Sequence, residues 1–150
     1  MTPSENCINL VKSFEGFRDK AYLCPANVWT IGYGTTCGVK DGDYLTEDQA
    51  QNLLLIEIIN KSKDIDKLVT VNINQNQFDA LCSLVYNIGV NAFKDSTLLK
   101  LINNKDTITN ILLKTFIFLQ YYNNNYRPIY HLENYMYNLI TIINGYKTCT

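Results

Sequence analysis

Three side chains in the first part of the chain have the types and the spacing for acid–base chemistry. Glu15 is followed after eight residues by Cys24 and, after five more, by Thr30. Hydrolysis of a glycosidic bond needs a carboxylic acid to protonate the leaving oxygen and a second group that manages water or the developing positive charge. Glu15 could supply the acid, and Cys24 and Thr30 could supply the second function. These residues are the predicted catalytic set.

A short helix and a small sheet are predicted to carry these side chains. The segment 2–5, Thr-Pro-Ser-Glu, is typical of a helix start, because a hydroxyl can cap the helix and proline fits its first turn. An apolar stripe then runs to Phe14, so Glu15 should lie at or just past the helix end. Residues 21–42 combine aromatic and β-branched residues with turn signals, which predicts an antiparallel sheet with Cys24 at its first turn and Thr30 on the following strand.

Helices are predicted for most of the remaining chain. Thr46 and Gln49 form a capping box that opens a long helix towards Lys67 or Val69, and Asn74 opens another that Gly89 ends. Ser96 or Asp95 can cap the next helix. Two later segments, 107–119 and 129–143, also favour helix, although the end of the first is equally strand-like.

The predicted fold class is a single α+β domain with two lobes. We expect a sheet lobe at about 15–45, a connecting helix at about 47–69, and a helical lobe formed by about 1–14 and 70–150. A chain of 150 residues with 47% hydrophobic and 18% charged residues is long enough and apolar enough for one globular core.

Composition excludes several function classes. The formal net charge of −1 provides no broad basic field, so nucleic acid is not an expected partner. No apolar run reaches the ~18 residues of a membrane span and no signal-peptide pattern begins the chain, so we expect a cytoplasmic protein without stable membrane insertion. Five cysteines without a Cys-x-x-Cys pair and a single histidine, His131, predict neither disulfides nor a metal or cofactor. Apart from Cys24, the cysteines should mostly be buried.

Two ordered sequence blocks are similar to one enzyme family. The first runs over 14–34 and includes Phe-Glu-Gly-Phe-Arg and Trp-Thr-Ile-Gly-Tyr-Gly; the second runs over 77–99 and includes Leu-Val-Tyr-Asn-Ile-Gly. Together they resemble the phage-type lysozymes, or endolysins, of glycoside hydrolase family 24. The motif of that family is Glu, eight residues, Asp or Cys, five residues, Thr, and the spacing from Glu15 to Thr30 matches it.

The resemblance implies a lysozyme-like fold with a cleft between the lobes, and hydrolysis of the β-1,4 bond between N-acetylmuramic acid and N-acetylglucosamine in bacterial peptidoglycan. Glu15 would be the general acid, and Cys24 and Thr30 would place or activate water. Tyr33, Tyr86 and Asn87 would contact the saccharide. The resemblance also implies a monomer that waits in the host cytoplasm for a holin to open the inner membrane.

Each of these residues also has a simpler structural interpretation. Glu15 could pair with Arg18 on the surface, Cys24 could be a packed turn residue, and Thr30 could serve only as a β-branched strand residue. Tyr86 and Asn87 could simply form the last turn of a helix.

The chain departs from the family pattern in two places. Thr35 stands where the family has His, and from about Asn110 the sequence diverges, with only Arg127 to replace an arginine pair. These departures motivate an alternative function, a non-catalytic module that binds peptidoglycan. A related chitinase or transglycosylase is a third possibility.

Overall fold

The computed structural model describes residues 1–105, which contain five helices and a two-stranded sheet. In chain order the elements are α1 (Glu5–Glu15), β1 (Arg18–Leu23), β2 (Trp29–Gly32), α2 (Glu47–Leu68), α3 (Gln75–Ile88), α4 (Val90–Lys94) and α5 (Thr97–Asn103). The predicted α+β class is confirmed. The helices predicted at 107–119 and 129–143, together with His131 and Arg127, lie outside the described residues.

Helix α1 presents Cys7, Leu10 and Val11 to the core and ends at Glu15, as its apolar stripe predicts. The prediction that a hydroxyl caps this helix with proline in its first turn is wrong. Ser4 occupies the N-cap position, but its hydroxyl donates to the Asp79 carboxylate in α3 instead of capping α1. The backbone N–H of Ser4 donates to the same carboxylate at 3.0 Å. A charged acceptor makes the stronger hydrogen bond and therefore takes both donors.

Strands β1 and β2 form an antiparallel hairpin with Leu23 opposite Trp29 and Tyr22 opposite Thr30. Its turn is closed by the backbone N–H of Cys24, which donates to the Val28 carbonyl, and by that of Asn27, which donates to the Cys24 carbonyl. Asn27 adopts a φ of 58°, a left-handed conformation that asparagine tolerates well. The predictions that Cys24 lies at the first turn and Thr30 on the following strand are confirmed.

Helix α2 begins at the predicted capping box, in which Thr46 and Gln49 satisfy each other's backbone donors, and it ends at Leu68. Helix α3 has a second capping box, formed by Asn74 and Gln77, and ends before Gly89 as predicted. It is the most buried helix among the described residues and packs against both α1 and α2. Of the two predicted caps of α5, Ser96 is the one that the structure uses.

The described cysteines follow the burial prediction only in part. Cys7 and Cys82 are buried in the core, and Cys24 is partly buried. Cys37 is exposed because it lies in the turn that follows β2, so the prediction is wrong for this residue. Cys149 lies outside the described residues.

Within residues 1–105 no helix combines the length and the apolar character that a membrane span requires. The same part of the chain contains no group of three His, Cys, Asp or Glu side chains placed to hold a metal ion.

Candidate active site

The carboxyl group of Glu15 lies against the backbone of Gly34. Glu15 is the last residue of α1 and is partly buried. A Cβ atom built on Gly34 would lie 3.2 Å from Glu15 Oε2 and 3.7 Å from its Cδ. Gly34 also has a φ of 94°, which side-chain-bearing residues rarely adopt. The close approach of this carboxyl group to the chain after β2 therefore depends on a glycine at position 34.

The other two predicted catalytic residues, Cys24 and Thr30, share one hydrogen-bond acceptor, the Val28 carbonyl oxygen. The backbone N–H of Cys24 and the hydroxyl of Thr30 each donate to it at 3.0 Å. The hairpin register pairs Tyr22 with Thr30, so Cys24 follows β1 two residues after the partner of Thr30. Thr30 is 4% exposed. Because its proton is donated to Val28, its oxygen presents lone pairs in the remaining directions.

Tyr33 is buried at the meeting point of several elements. Its hydroxyl donates to Glu47 Oε1, in the first turn of α2, at 2.8 Å. The Lys12 ammonium lies 5.5 Å from the centre of its ring, and the Phe17 ring lies 5.7 Å away. Burial, followed by the hydrogen bond to Glu47 and the negative charge there, raises the pKa of Tyr33 to about 12.

Tyr86, near the end of α3, contacts the same region from the other side. Its hydroxyl donates to the Tyr33 backbone carbonyl at 2.7 Å. A Cβ built on Gly34 would lie 3.7 Å from that hydroxyl. The Lys61 ammonium lies 4.2 Å from the centre of the Tyr86 ring and donates to the Tyr86 carbonyl at 3.3 Å.

The structure thus brings three of the six predicted site residues together around Gly34: Glu15, Tyr33 and Tyr86. Cys24 and Thr30 form a second group on the hairpin, and the partly buried Asn87 follows Tyr86 in the last turn of α3. The partners Lys12, Glu47 and Lys61 were missed at the level of sequence. Each contacts a residue distant in the chain, and no local pattern marks such contacts.

Comparisons with known proteins place this geometry in context. Residues 12–129 match the sequence model of a family described as phage lysozyme. The chain is 46% identical to the endolysin of Acyrthosiphon pisum secondary endosymbiont phage 1 over 103 residues, which are 69% of this chain and 70% of that protein. It is 40% identical to the endolysin of Salmonella phage P22 over 111 residues, 71% of this chain and 76% of the relative.

Other relatives are longer: the chain spans 40% and 43% of two similar Bacillus phage endolysins. Among solved structures, the muramidase domain of SpmX from Asticaccaulis excentricus superimposes with a TM-score of 0.80 at 28% identity. The match covers 93% of this chain and 95% of that domain. The lysozyme-like architecture predicted from the sequence is therefore confirmed.

Proposed function

This chain belongs to the phage lysozyme family, and on that basis we propose that it hydrolyses the β-1,4 bond between N-acetylmuramic acid and N-acetylglucosamine. The protein is an endolysin, that is, a glycoside hydrolase whose substrate is bacterial peptidoglycan. The muramidase named among the similar structures supports the choice of bond. The spacing of Glu15, Cys24 and Thr30 supports assignment to glycoside hydrolase family 24.

The packing of the Glu15 carboxyl group against Gly34 is the observation that carries the proposal. A general acid must keep its proton until the leaving oxygen takes it. Glu15 lies at the C-terminal end of α1, where the helix carries partial negative charge, and it is partly withdrawn from water. The contact with Gly34 supports a fixed position for this carboxyl group beside the chain that follows β2. Glu15 is accordingly assigned as the acid that protonates the glycosidic oxygen.

Thr30 and Cys24 are proposed to orient or activate the water molecule that attacks the sugar. Because the Thr30 hydroxyl donates to the Val28 carbonyl, its oxygen can accept a hydrogen bond from water and orient the nucleophile. The Cys24 side chain, at the turn of the same hairpin, acts either as a thiolate that accepts the water proton or as a polar neighbour of Thr30. The cleft is proposed to lie between the sheet lobe (15–45) and the helical lobe (1–14 and 70–150), with Asn87 and the rings of Tyr33 and Tyr86 along its wall.

We propose further that the chain acts as a monomer and reaches its substrate from the host cytoplasm through the opening made by a holin. The support is the similarity of the chain to phage endolysins. Expression in cells with and without a holin tests this point. Lysis that proceeds at the same rate in both would contradict it.

Turbidity of Gram-negative cells with a permeabilised outer membrane tests the catalytic assignment. We expect the Glu15→Gln variant to clear such cells at least 100-fold more slowly, since loss of a general acid costs about 10²–10⁴ in rate. Glu57→Gln is the matched control, because Glu57 is a partly buried glutamate in α2 outside the predicted site, and it should clear cells at the wild-type rate. Equal rates for wild type and Glu15→Gln would refute the role of Glu15.

Mass spectrometry of the digested peptidoglycan identifies the reaction. A hydrolase leaves reducing ends, whereas a transglycosylase leaves anhydro-muramyl ends. A module that binds peptidoglycan without cutting it would pull down with the insoluble polymer and release neither product. New muramic acid reducing ends that disappear with Glu15→Gln are the expected result.

A further inference from the structure

The Tyr86 hydroxyl donates to the carbonyl of Tyr33, and the next residue, Gly34, contacts the Glu15 carboxyl group. We infer that this hydroxyl is a positioning group: by holding the Tyr33 carbonyl, it fixes the Gly34 backbone against which the Glu15 carboxyl group is packed. The inference rests on the proposed role of Glu15 as the acid. It assigns to Tyr86 a function in orienting the acid, separate from contact between its ring and the saccharide.

The first step of the argument is the peptide unit between Tyr33 and Gly34. Its atoms lie close to one plane, so fixing the carbonyl oxygen restricts the position of the Gly34 Cα as well. Glycine has more conformational freedom than any other residue, and Gly34 occupies the left-handed region at φ 94°. Two backbone hydrogen bonds between Ile31 and Thr35 close the turn that contains Gly34. The hydrogen bond of 2.7 Å from Tyr86 adds a contact from a distant helix, and this contact acts directly on the peptide unit of Gly34.

The second step is that both partners of this hydrogen bond are themselves anchored. Tyr86 is 7% exposed, and Lys61 contacts both its ring and its backbone carbonyl. Tyr33 is 3% exposed, and its own hydroxyl is bound to Glu47 at the start of α2. The bond therefore connects two rigid parts of the structure, and Gly34 follows directly in the chain.

The third step concerns the direction of the Tyr86 proton. A phenol has one proton to donate, and here the donation goes to a backbone carbonyl within a buried environment. Donation to a sugar hydroxyl would require breaking this bond and leaving the Tyr33 carbonyl without its buried donor, which is costly. The hydroxyl is thus used inside the protein, and its removal should change the rate of the chemical step and leave substrate affinity unchanged.

The Tyr86→Phe variant tests the inference, because it removes the hydroxyl and keeps the ring. With soluble glycan strands as substrate, we expect kcat to fall roughly 5- to 30-fold while KM stays within about twofold, since small misplacement of a catalytic group slows the reaction strongly. The control is Ser96→Ala, which removes a hydroxyl that is 3% exposed and binds the Phe93 carbonyl and the Leu99 N–H. It should lower the melting temperature by a similar amount without changing kcat.

Gly34→Ala is a second variant that changes the contact between the Gly34 backbone and the Glu15 carboxyl group. Its new Cβ would lie 3.2 Å from Glu15 Oε2, so kcat should fall here too. The loss in the double variant should be smaller than the product of the two single losses, because both changes displace the same peptide. An unchanged kcat for Tyr86→Phe, a raised KM with kcat preserved, or an equal kcat loss in Ser96→Ala would each overturn the inference. Failure of the proposed function is recognised separately, by full activity of Glu15→Gln.

Discussion

At the scale of single residues, Tyr33 illustrates how one side chain can connect several elements. It follows β2, yet it contacts Lys12 of α1 through its ring, Glu47 of α2 through its hydroxyl and Tyr86 of α3 through its carbonyl. The sequence resemblance predicts Tyr33 as a saccharide contact, and that role stays a prediction. The described contacts add a structural role, because they hold the residue that precedes Gly34.

The ionisation of Tyr33 predicts a specific loss of stability at alkaline pH. Its pKa is about 12 in the folded protein against 10.0 for a free side chain, so above pH 10 the unfolded chain loses a proton that the folded protein retains. The free energy of unfolding should therefore fall as the pH rises from about 10 to 12, by roughly 2–3 kcal/mol in total. Urea unfolding at a series of pH values measures this fall.

The Tyr33→Phe variant cannot ionise at this position and should show a shallower alkaline decrease in unfolding free energy. Tyr44→Phe is the matched control, since Tyr44 is 60% exposed, and it should follow the wild-type curve. If Tyr33→Phe and the wild type lose stability in parallel, the Tyr33 hydroxyl does not cause the effect.

At the scale of elements, the contact between the hairpin and α2 depends on Gly32. A Cβ built on this residue would lie 3.0 Å from the Ala50 Cβ, which is tighter than most Cβ contacts, and 3.7 Å from Leu45 Cδ1. Ala50 is almost fully buried on the face of α2 that meets β2. The hairpin can therefore approach α2 at this distance only because position 32 has no side chain.

Comparison of two glycine variants separates this crowding from backbone strain. Gly32 and Gly38 have similar positive φ values of 65° and 74°, but a Cβ on Gly38 would meet nothing within 4 Å. Gly38→Ala should cost about 1–2 kcal/mol of stability from the left-handed backbone alone. Gly32→Ala should cost a further ~1–3 kcal/mol because the hairpin must move away from α2. Equal losses in urea unfolding would contradict the crowding argument.

At the scale of the whole molecule, two carboxylates tie the beginning of the chain to distant helices. Asp79 in α3 is 1% exposed and accepts hydrogen bonds from the backbone and hydroxyl of Ser4 and from Gln75. Asp66 in α2 forms an ion pair with the Met1 ammonium at 2.8 Å, with both groups partly in solvent. Each contact joins a carboxylate to one of the first four residues, but the Asp79 carboxylate is buried and the Asp66 carboxylate is partly in solvent.

The matched variants Asp79→Ala and Asp66→Ala should differ strongly in stability. Removal of Asp79 takes away a buried charged acceptor and leaves the partly buried donors of Ser4 without it, and we expect a loss of about 2–4 kcal/mol. Removal of Asp66 breaks a solvent-screened pair and should cost no more than about 1 kcal/mol. Urea unfolding of both variants measures the difference. Similar losses would show that burial does not determine the strength of these contacts.

The sequence separation between contacting residues explains which parts of the structure could be predicted from the sequence. The start of α2 was predictable because Thr46 and Gln49, which cap it, lie three residues apart. The start of α1 within residues 2–5 was predicted correctly, but its hydroxyl cap was predicted wrongly because the partner of the Ser4 hydroxyl is Asp79, 75 residues away. Of the site, the hairpin positions of Cys24 and Thr30 followed from local turn signals. The contacts of Tyr33 with Glu47 and Tyr86 arise only from tertiary packing.

The hydrogen bond between Tyr86 and Tyr33 has a consequence for biosynthesis, since it joins residues that are 53 positions apart. During synthesis Glu15, Cys24 and Thr30 emerge early from the ribosome. The hydrogen bond to the Tyr33 carbonyl can form only after α3, which contains Tyr86, has emerged and packed against the rest of the chain. Contacts between residues so far apart in the chain require closure of a long loop, which slows folding. A nascent or truncated chain that ends before residue 86 therefore carries all three proposed catalytic side chains but lacks the hydrogen bond from Tyr86 to the Tyr33 carbonyl.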